Sequence, residues 1–325
     1  MTATTTEPAK KPRKKRPSTL AKREARLGWI LVLPAALVVA ALVLFPVLWN
    51  ISLSLQKIRL VELRDFGIFD INNPNLDNFA RVVATRGFWE LTRTTLVYTV
   101  GGTVLSMMMG LWAALVVRKA FIGRSLVRGL MLFPYVAPVI AVTFVWRIML
   151  SPSFGIVNEW ITAGGGSSID FLGRRSIPVT LLGLEFDIPL ALTTVIIFEA
   201  WRYFPFAFLF ILARLQALPG ELDEAAMVDG ATLTQRFWYI TLPQLRGVFS
   251  VLFLLRFIWT FNKFDDIFLL TGGSAGTKVI TVQIVEWLRG RGDIGAAAAL
   301  GLVLAAILIV LLFIYFRWFY EEDTE

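Results

Sequence analysis

Four stretches of this 325-residue chain run for roughly the width of a bilayer without a charged side chain: Gly28–Gln56, Thr94–Val117, Gly129–Trp146 and Ile294–Phe316. An α-helix rises 1.5 Å per residue, so about 20 apolar residues cross the ~30 Å hydrocarbon layer. Backbone N–H and C=O groups find no water there, so such stretches must satisfy them internally, as helices. Two more stretches of similar length are interrupted by charge: Ile188–Ala213 by Glu199 and Arg202, and Gly247–Leu270 by Arg256, Lys263, Asp265 and Asp266. The pattern predicts an all-α integral membrane protein with six transmembrane helices. With 56% hydrophobic residues, one soluble core of this size could not hide the apolar surface. Pro34 and Pro46, Pro134 and Pro138, and Pro205 fall inside predicted spans, where a surrounding bundle turns them into kinks rather than stops.

Charge sets the orientation. Residues 1–26 hold nine Lys/Arg against Glu7 and Glu24. Such a run suits nucleic acid or anionic lipid; the long apolar helix that follows at once favours the lipid reading, with no nucleic-acid partner. That helix is longer than a signal-peptide core and should remain as an anchor. The link between spans two and three carries Arg118, Lys119, Arg124 and Arg128 without an acid and should be cytoplasmic. Residues 57–93 mix both signs and 151–187 lean acidic, so both should face outward. Six spans then place both termini and residues 214–246 in the cytoplasm. The expected organisation is a basic tail (1–26), a transmembrane domain (27–320) and an acidic tail (321–325). The outer loops offer a turn cluster at Asn72-Asn73-Pro74-Asn75, a short amphipathic piece at Ile156–Thr162 and a flexible link at Gly164–Ser168. The chain has no cysteine and no histidine. Disulfides, thiolate zinc and His-based acid–base chemistry are excluded, and only an all-carboxylate metal site stays formally open. No soluble stretch is large enough for an enzyme site, so no catalytic residue, metal or cofactor is expected.

Residues 219–243 carry the most information. Pro219 is placed to open a helix with Glu221, Asp223 and Glu224 in its first turns, where the dipole favours acids. Gly230 is placed to end it in a left-handed turn. Ala231–Ile240 should form a second short helix, with Pro243 marking re-entry to the membrane. Ala225 and Ala226 offer a small-side-chain face that another backbone could approach. Taken alone, this pattern is equally a helix–turn–helix loop lying on the membrane.

The spacing Glu224-Ala225-Ala226, three residues, Gly230, nine residues, Ile240-x-Leu242-Pro243 resembles the EAA loop of ABC-importer permeases. The resemblance implies that Glu224, Ala225, Ala226, Asp229 and Gly230 belong to a coupling helix seated in a cleft of a cytoplasmic ATPase, with Ile240, Leu242 and Pro243 buttressing it. Four flanking segments are similar to the carbohydrate-uptake branch, of the MalF/UgpA-like subunit type: Ala213-x-Leu215-Gln216-x-Leu218-Pro219, Phe264-Asp265-x-Ile267-x-Leu269-Leu270-Thr271-Gly272-Gly273, Phe45-Pro46 with Ser52-Leu53, and Phe154–Asn158. The Leu-Thr-Gly-Gly segment departs from the MalG-like subunit. The extra N-terminal spans and large outer domain of MalF are missing, so the shorter UgpA-like layout fits better. The resemblance implies a bacterial plasma-membrane permease that pairs with a second, homologous permease. Two ABC ATPases and an external solute-binding (lipo)protein would complete the importer. Its solute would be a sugar or sugar derivative, with glycerol phosphate, polyamine or phosphate as alternatives. An ion-coupled secondary transporter would show two repeated halves with acids near unwound helices, and no repeat is visible.

Arg256 falls about ten residues into its span, near the bilayer centre, where a charge costs at least about 2.5–3.5 kcal/mol on insertion scales. Trp259, Asn262 and Asp266 follow it on one broad helical stripe. Aromatic faces with Asn, Asp and Arg suit sugar hydroxyls, which both donate and accept. Glu199, Arg256, Trp259, Asn262 and Asp266 are therefore candidates for a substrate path. The competing reading is an ion pair between Arg256 and Glu199 that holds helices together, and on sequence alone the two stand level. Arg202 and Arg147 are expected as local pairs or interface anchors. Gly295–Ala299 with Gly301, Ala305 and Ala306 reads as a close-packing face.

Overall fold

The computed structural model describes residues 19–62, 74–181 and 183–318. The expected basic tail up to residue 18, Asn72 and Asn73 of the turn cluster, and the acidic tail lie outside the described residues. Four helical stretches are long and apolar enough to cross a membrane: Arg26–Ser54, Phe88–Val116, Leu190–Ala217 and Ile294–Arg317. Two bent pairs pass the same test, Arg124–Val136 with Val139–Met149 (95°) and Leu233–Gln244 with Arg246–Phe261 (63°). The molecule is thus a mostly helical membrane protein with four candidate spans, or six if each bent pair counts as one.

The first span is α1 (Thr19–Val39), a π-helical turn (Ala40–Leu44) and α2 (Phe45–Ser54). Pro46 lacks an N–H and would crowd the Leu42 carbonyl. The π turn absorbs this, because Phe45 N–H reaches back five residues to Ala40 O and the helix continues. Helix α3 (Asp77–Ala84) precedes the long α4 (Phe88–Val116), followed by α5 (Arg124–Val136), α6 (Val139–Met149) and α7 (Ile156–Ala163). Here the expectation of kinks needs correction. At Ala137-Pro138 the helix stops and restarts at nearly a right angle, since Pro138 cannot donate to the Pro134 carbonyl.

Residues 151–187 also hold an unanticipated element: an antiparallel hairpin of β1 (Ile177–Leu181) and β2 (Leu184–Ile188), with Ile177 paired to Ile188. The alternation Leu184-Glu185-Phe186-Asp187-Ile188 is a strand pattern, and the turn uses Gly183 at φ +80°. The fourth span, α8 (Leu190–Ala217), therefore starts after Pro189 rather than at Ile188.

Three apolar cores stack along the bundle. Met107, Phe208, Ile211, Leu215 and Leu252 form one and Tyr98, Val142, Val195, Phe198 and Ile267 another. A third joins Phe257 and Phe261 to Ile280, Trp287 and Leu300. Helices α4 and α8 pack closest. A Cβ on Gly110 would lie 2.7 Å from the Ala207 Cβ and 2.8 Å from the Phe208 backbone nitrogen. Lipid supplies no hydrophobic drive between helices, so a close backbone approach gains the van der Waals contact that replaces it. Of the close-packing face expected on the last span, α14 (Ile294–Trp318), only the first part packs within this subunit. Ala296–Ala299 are buried, and a Cβ on Gly295 would strike the Gln56 carbonyl oxygen at 2.2 Å. Gly301 meets nothing, and Ala305 and Ala306 are exposed.

Candidate functional site

The loop between α8 and the fifth apolar stretch is built as two capped helices. Pro219, in extended conformation, caps α9 (Gly220–Val228), whose first turn holds Glu221 and Asp223. Gly230 adopts φ +77° and ends the helix with two bonds: its N–H to Met227 O (3.1 Å) and Ala231 N–H to Ala226 O (2.9 Å). The next helix, α10 (Leu233–Arg236), starts two residues later than expected. A reciprocal cap sets its start: Gln235 N–H donates to Thr232 Oγ1 (3.3 Å) and Thr232 N–H to Gln235 Oε1 (2.8 Å). It does not end at Ile240. A π-helical turn (Phe237–Thr241) carries it into α11 (Leu242–Gln244), accommodating Pro243 as the first π turn accommodates Pro46. The bend comes at Leu245, where the chain turns into α12 (Arg246–Phe261). Glu224, Ala225, Asp229, Gly230 and Pro243 are exposed, and Ile240 and Leu242 half-buried. Ala226 is buried, so the small-residue face is split: Ala225 points out and Ala226 packs inward. An ion pair between Arg118 Nη2 and Asp223 Oδ2 (2.9 Å) ties α9 to the end of α4.

Within the bundle, Arg256 Nη2 donates to Glu199 Oε1 at 2.7 Å, and both side chains are essentially inaccessible. Thr260 Oγ1 donates to the same oxygen (3.1 Å) and Tyr98 OH to Oε2 (3.0 Å). Three helices, α4, α8 and α12, thus converge on one carboxylate. Gly102 makes the room, since a Cβ there would lie 2.8 Å from Glu199 Cγ. The Arg256 guanidinium also lies 4.5 Å from the Tyr203 ring centre and the Lys263 ammonium 4.1 Å, with Lys263 Nζ donating to the Tyr203 hydroxyl. Asp266 is fully buried and 3.5 Å from Lys263. Two buried acids therefore meet two cations, as a low-dielectric interior requires.

The single stripe expected from Arg256 to Asp266 does not exist. Helix α12 ends at Phe261, and Asp266 belongs to a separate helix, α13 (Asp265–Thr271). Trp259 and Asn262 are exposed, whereas Arg256 and Asp266 are buried. Trp259 extends an aromatic row instead, edge-on to Phe206 (5.1 Å), which adjoins Tyr135, itself edge-on to Tyr203 (5.9 Å). Arg202 does not pair with Glu199. Its guanidinium donates to Pro134 O (3.2 Å) and Ala137 O (3.0 Å), the carbonyls that the Pro138 break leaves without N–H donors. Arg147 reaches Leu269 O at 3.5 Å.

Tyr98, Thr260 and Tyr203 escaped the sequence reading, as did the Arg118–Asp223 pair. For Arg202 a signal existed: Pro134 and Pro138 stand four apart, so a carbonyl between turns must lack its donor. For the others, neutral hydroxyls in apolar helices carry no mark of which carboxylate they serve.

The family described as binding-protein-dependent transport system inner membrane component matches residues 102–320, which span the loop and, Tyr98 apart, the polar cluster. The chain belongs to this family. It is a permease subunit of a binding-protein-dependent ABC importer, a multi-pass protein of the inner membrane, and a transport subunit rather than an enzyme. The permease is 30% identical to the trehalose/maltose transport system permease protein MalF of Thermococcus litoralis, over 92% of this chain and 96% of that one. It is also 30% identical to the trehalose transport system permease protein SugA of Mycobacterium tuberculosis, over 91% and 89%. A chain of a bacterial ABC transporter involved in the import of the polysaccharide alginate shares its fold, with a TM-score of 0.73, 21% identity and coverage of 91% and 96%. Both relatives match this permease over nearly their full length.

Proposed function

We propose that this permease imports a sugar or sugar derivative, crossing the membrane six times with both termini and residues 214–246 in the cytoplasm. The observation that carries the substrate class is the near-full-length match to two permeases named for disaccharide transport, MalF and SugA. Each bent helix pair is one span in this reading. A homologous permease completes the channel, two ABC ATPases drive it, and an external solute-binding protein delivers the solute. Glu224, Ala225, Asp229 and Gly230 form the surface that enters the ATPase cleft, and their exposure leaves them available. Ala226, Ile240, Leu242 and Pro243 hold that surface on the bundle.

Within the bundle the roles divide. Glu199, Arg256 and Asp266 are paired and inaccessible, which suits holding α4, α8, α12 and α13 together. Trp259, Asn262 and Tyr135 are exposed, with Phe206 and Tyr203 half-buried beside them. Aromatic faces stack on the C–H faces of a sugar, and the Tyr hydroxyls and Asn amide bond its hydroxyls. The solute path is read as this surface, closed on its other side by the partner permease.

Two measurements test the reading. Cells carrying the intact importer should accumulate labelled trehalose or maltose, and deletion of this chain should abolish that uptake; unaffected uptake of all saccharides tried would overturn the substrate class. For orientation, the chain is naturally cysteine-free. An Asp229→Cys variant should resist an impermeant thiol reagent in intact cells, and rapid labelling from outside would overturn the topology.

A further inference from the structure

We propose that the cleft between the end of α4 and the coupling-loop helices binds a phosphate-bearing anion, such as the headgroup of an acidic phospholipid. The cavity, about 550 Å³, lies among Arg118, Lys119, Asp223, Leu233, Arg236 and Phe237. Three cations line it against one acid, and that acid is already engaged by Arg118 at 2.9 Å. Among the described residues no carboxylate stands within ion-pair distance of Lys119 or Arg236. The Arg236 Nε–H is buried and has no acceptor. A buried guanidinium N–H without a partner is costly, and phosphate oxygens are what its planar fork fits. More positive charge stands behind the cavity: Arg124 and Arg128 donate to the carbonyls of Arg118 and Val117 (3.3 and 3.2 Å) at the end of α4.

The neighbouring turn indicates where the anion comes from. Phe121 is exposed and Ile122 entirely so, an apolar tip flanked by Lys119 and Arg124. Apolar side chains beside a basic cluster are the signature of a surface at headgroup depth. A lipid seated there would place its phosphate against Lys119 and Arg236 and compete with Asp223 for Arg118. It would thereby bear on the ion pair that joins α9 to α4. This consequence for coupling rests on the proposed coupling role of the loop, whereas the anion site does not.

The test uses the full-length chain in detergent, with short-chain phosphatidylglycerol, short-chain phosphatidylcholine and inorganic phosphate titrated separately and followed by native mass spectrometry and thermal shift. Saturable binding of phosphatidylglycerol, at least tenfold tighter than of phosphatidylcholine, is expected. Lys119→Gln with Arg236→Gln should weaken it about tenfold or more. Asp223→Asn, which frees Arg118, should tighten it about threefold, a gain that loss of folding cannot imitate. Equal saturable binding of inorganic phosphate would support the site with a soluble anion as its source. Equal binding of both lipids, no binding of any probe, or indifference to all these substitutions would overturn the proposal. Orientation in the membrane does not enter this measurement, so its failure is separable from failure of the topology, which the Asp229→Cys labelling reads.

Discussion

Replacing Arg256 with methionine keeps the side chain's length and removes its charge. The cost is set by the carboxylate left behind. Glu199 is completely buried and loses its 2.7 Å guanidinium partner, retaining the hydroxyls of Tyr98 and Thr260 as donors. An uncompensated buried charge costs about 3–5 kcal/mol, and the two remaining donors place this case near the lower end. On the usual scaling for a chain this large, about 1.5 °C per kcal/mol, the apparent melting temperature should fall by roughly 4–6 °C, and the yield of assembled complex should fall with it. Adding Glu199→Gln removes the stranded charge and should restore more than half of the loss, the interaction term of a double-mutant cycle. The assay is thermal unfolding of the purified, detergent-solubilised chain at one scan rate, beside complex yield and solute uptake, for both single variants and the double. An Arg256→Met protein that melts with the wild type and assembles normally yet fails to transport would refute the pairing role and return Arg256 to the solute path. A double variant as unstable as the single would refute the charge argument.

Arg202→Met should strand the Pro134 and Ala137 carbonyls and cost about 1–3 kcal/mol each, with Arg202→Lys retaining part of the stability; a melting temperature unchanged in Arg202→Met would contradict the capping role. Gly110→Val should push α4 from α8, since even a Cβ lies 2.7–2.8 Å from Ala207 and Phe208, costing about 1–3 kcal/mol, whereas Gly129→Ala, with open space around it, should be silent in the same melt. Glu224→Lys and Gly230→Pro should insert normally and abolish uptake with substrate-stimulated ATPase activity of the reconstituted complex; Gly230→Ala, which keeps the N–H bond to Met227 and meets no neighbour, should cost only about 1–2 kcal/mol for its left-handed backbone and keep substantial transport. Wild-type ATPase stimulation in Glu224→Lys would remove the coupling assignment.

The apolar stretches were legible because their cause is local. A bilayer satisfies no backbone group, so a run of about 20 uncharged residues has one outcome whatever packs beside it. The loop at 219–243 was legible for a similar reason: Pro219 and Gly230 act within a few residues of themselves, although the Thr232–Gln235 cap was passed over. Its boundaries were not, because the π turn before Pro243 depends on a register shift that composition does not announce. The β1–β2 hairpin was missed where a search for spans passed over a five-residue alternation.

What tertiary structure alone decided was which polar groups meet. Arg256 and Glu199 lie 57 positions apart, and Tyr98 stands 101 from Glu199. Arg202 stands three residues along from Glu199, yet it turns to the broken helix at Pro138, 65 positions away at Ala137. A charge in an apolar helix states that it must be paired, and the sequence by itself established that much. The partner depends on which helix faces close together, on where Gly102 and Gly110 let α4 and α8 touch, and on the end of α12 at Phe261, which puts Asp266 on a separate helix. Those are properties of packed surfaces, and side chains far apart along the chain acquire them only when the bundle forms.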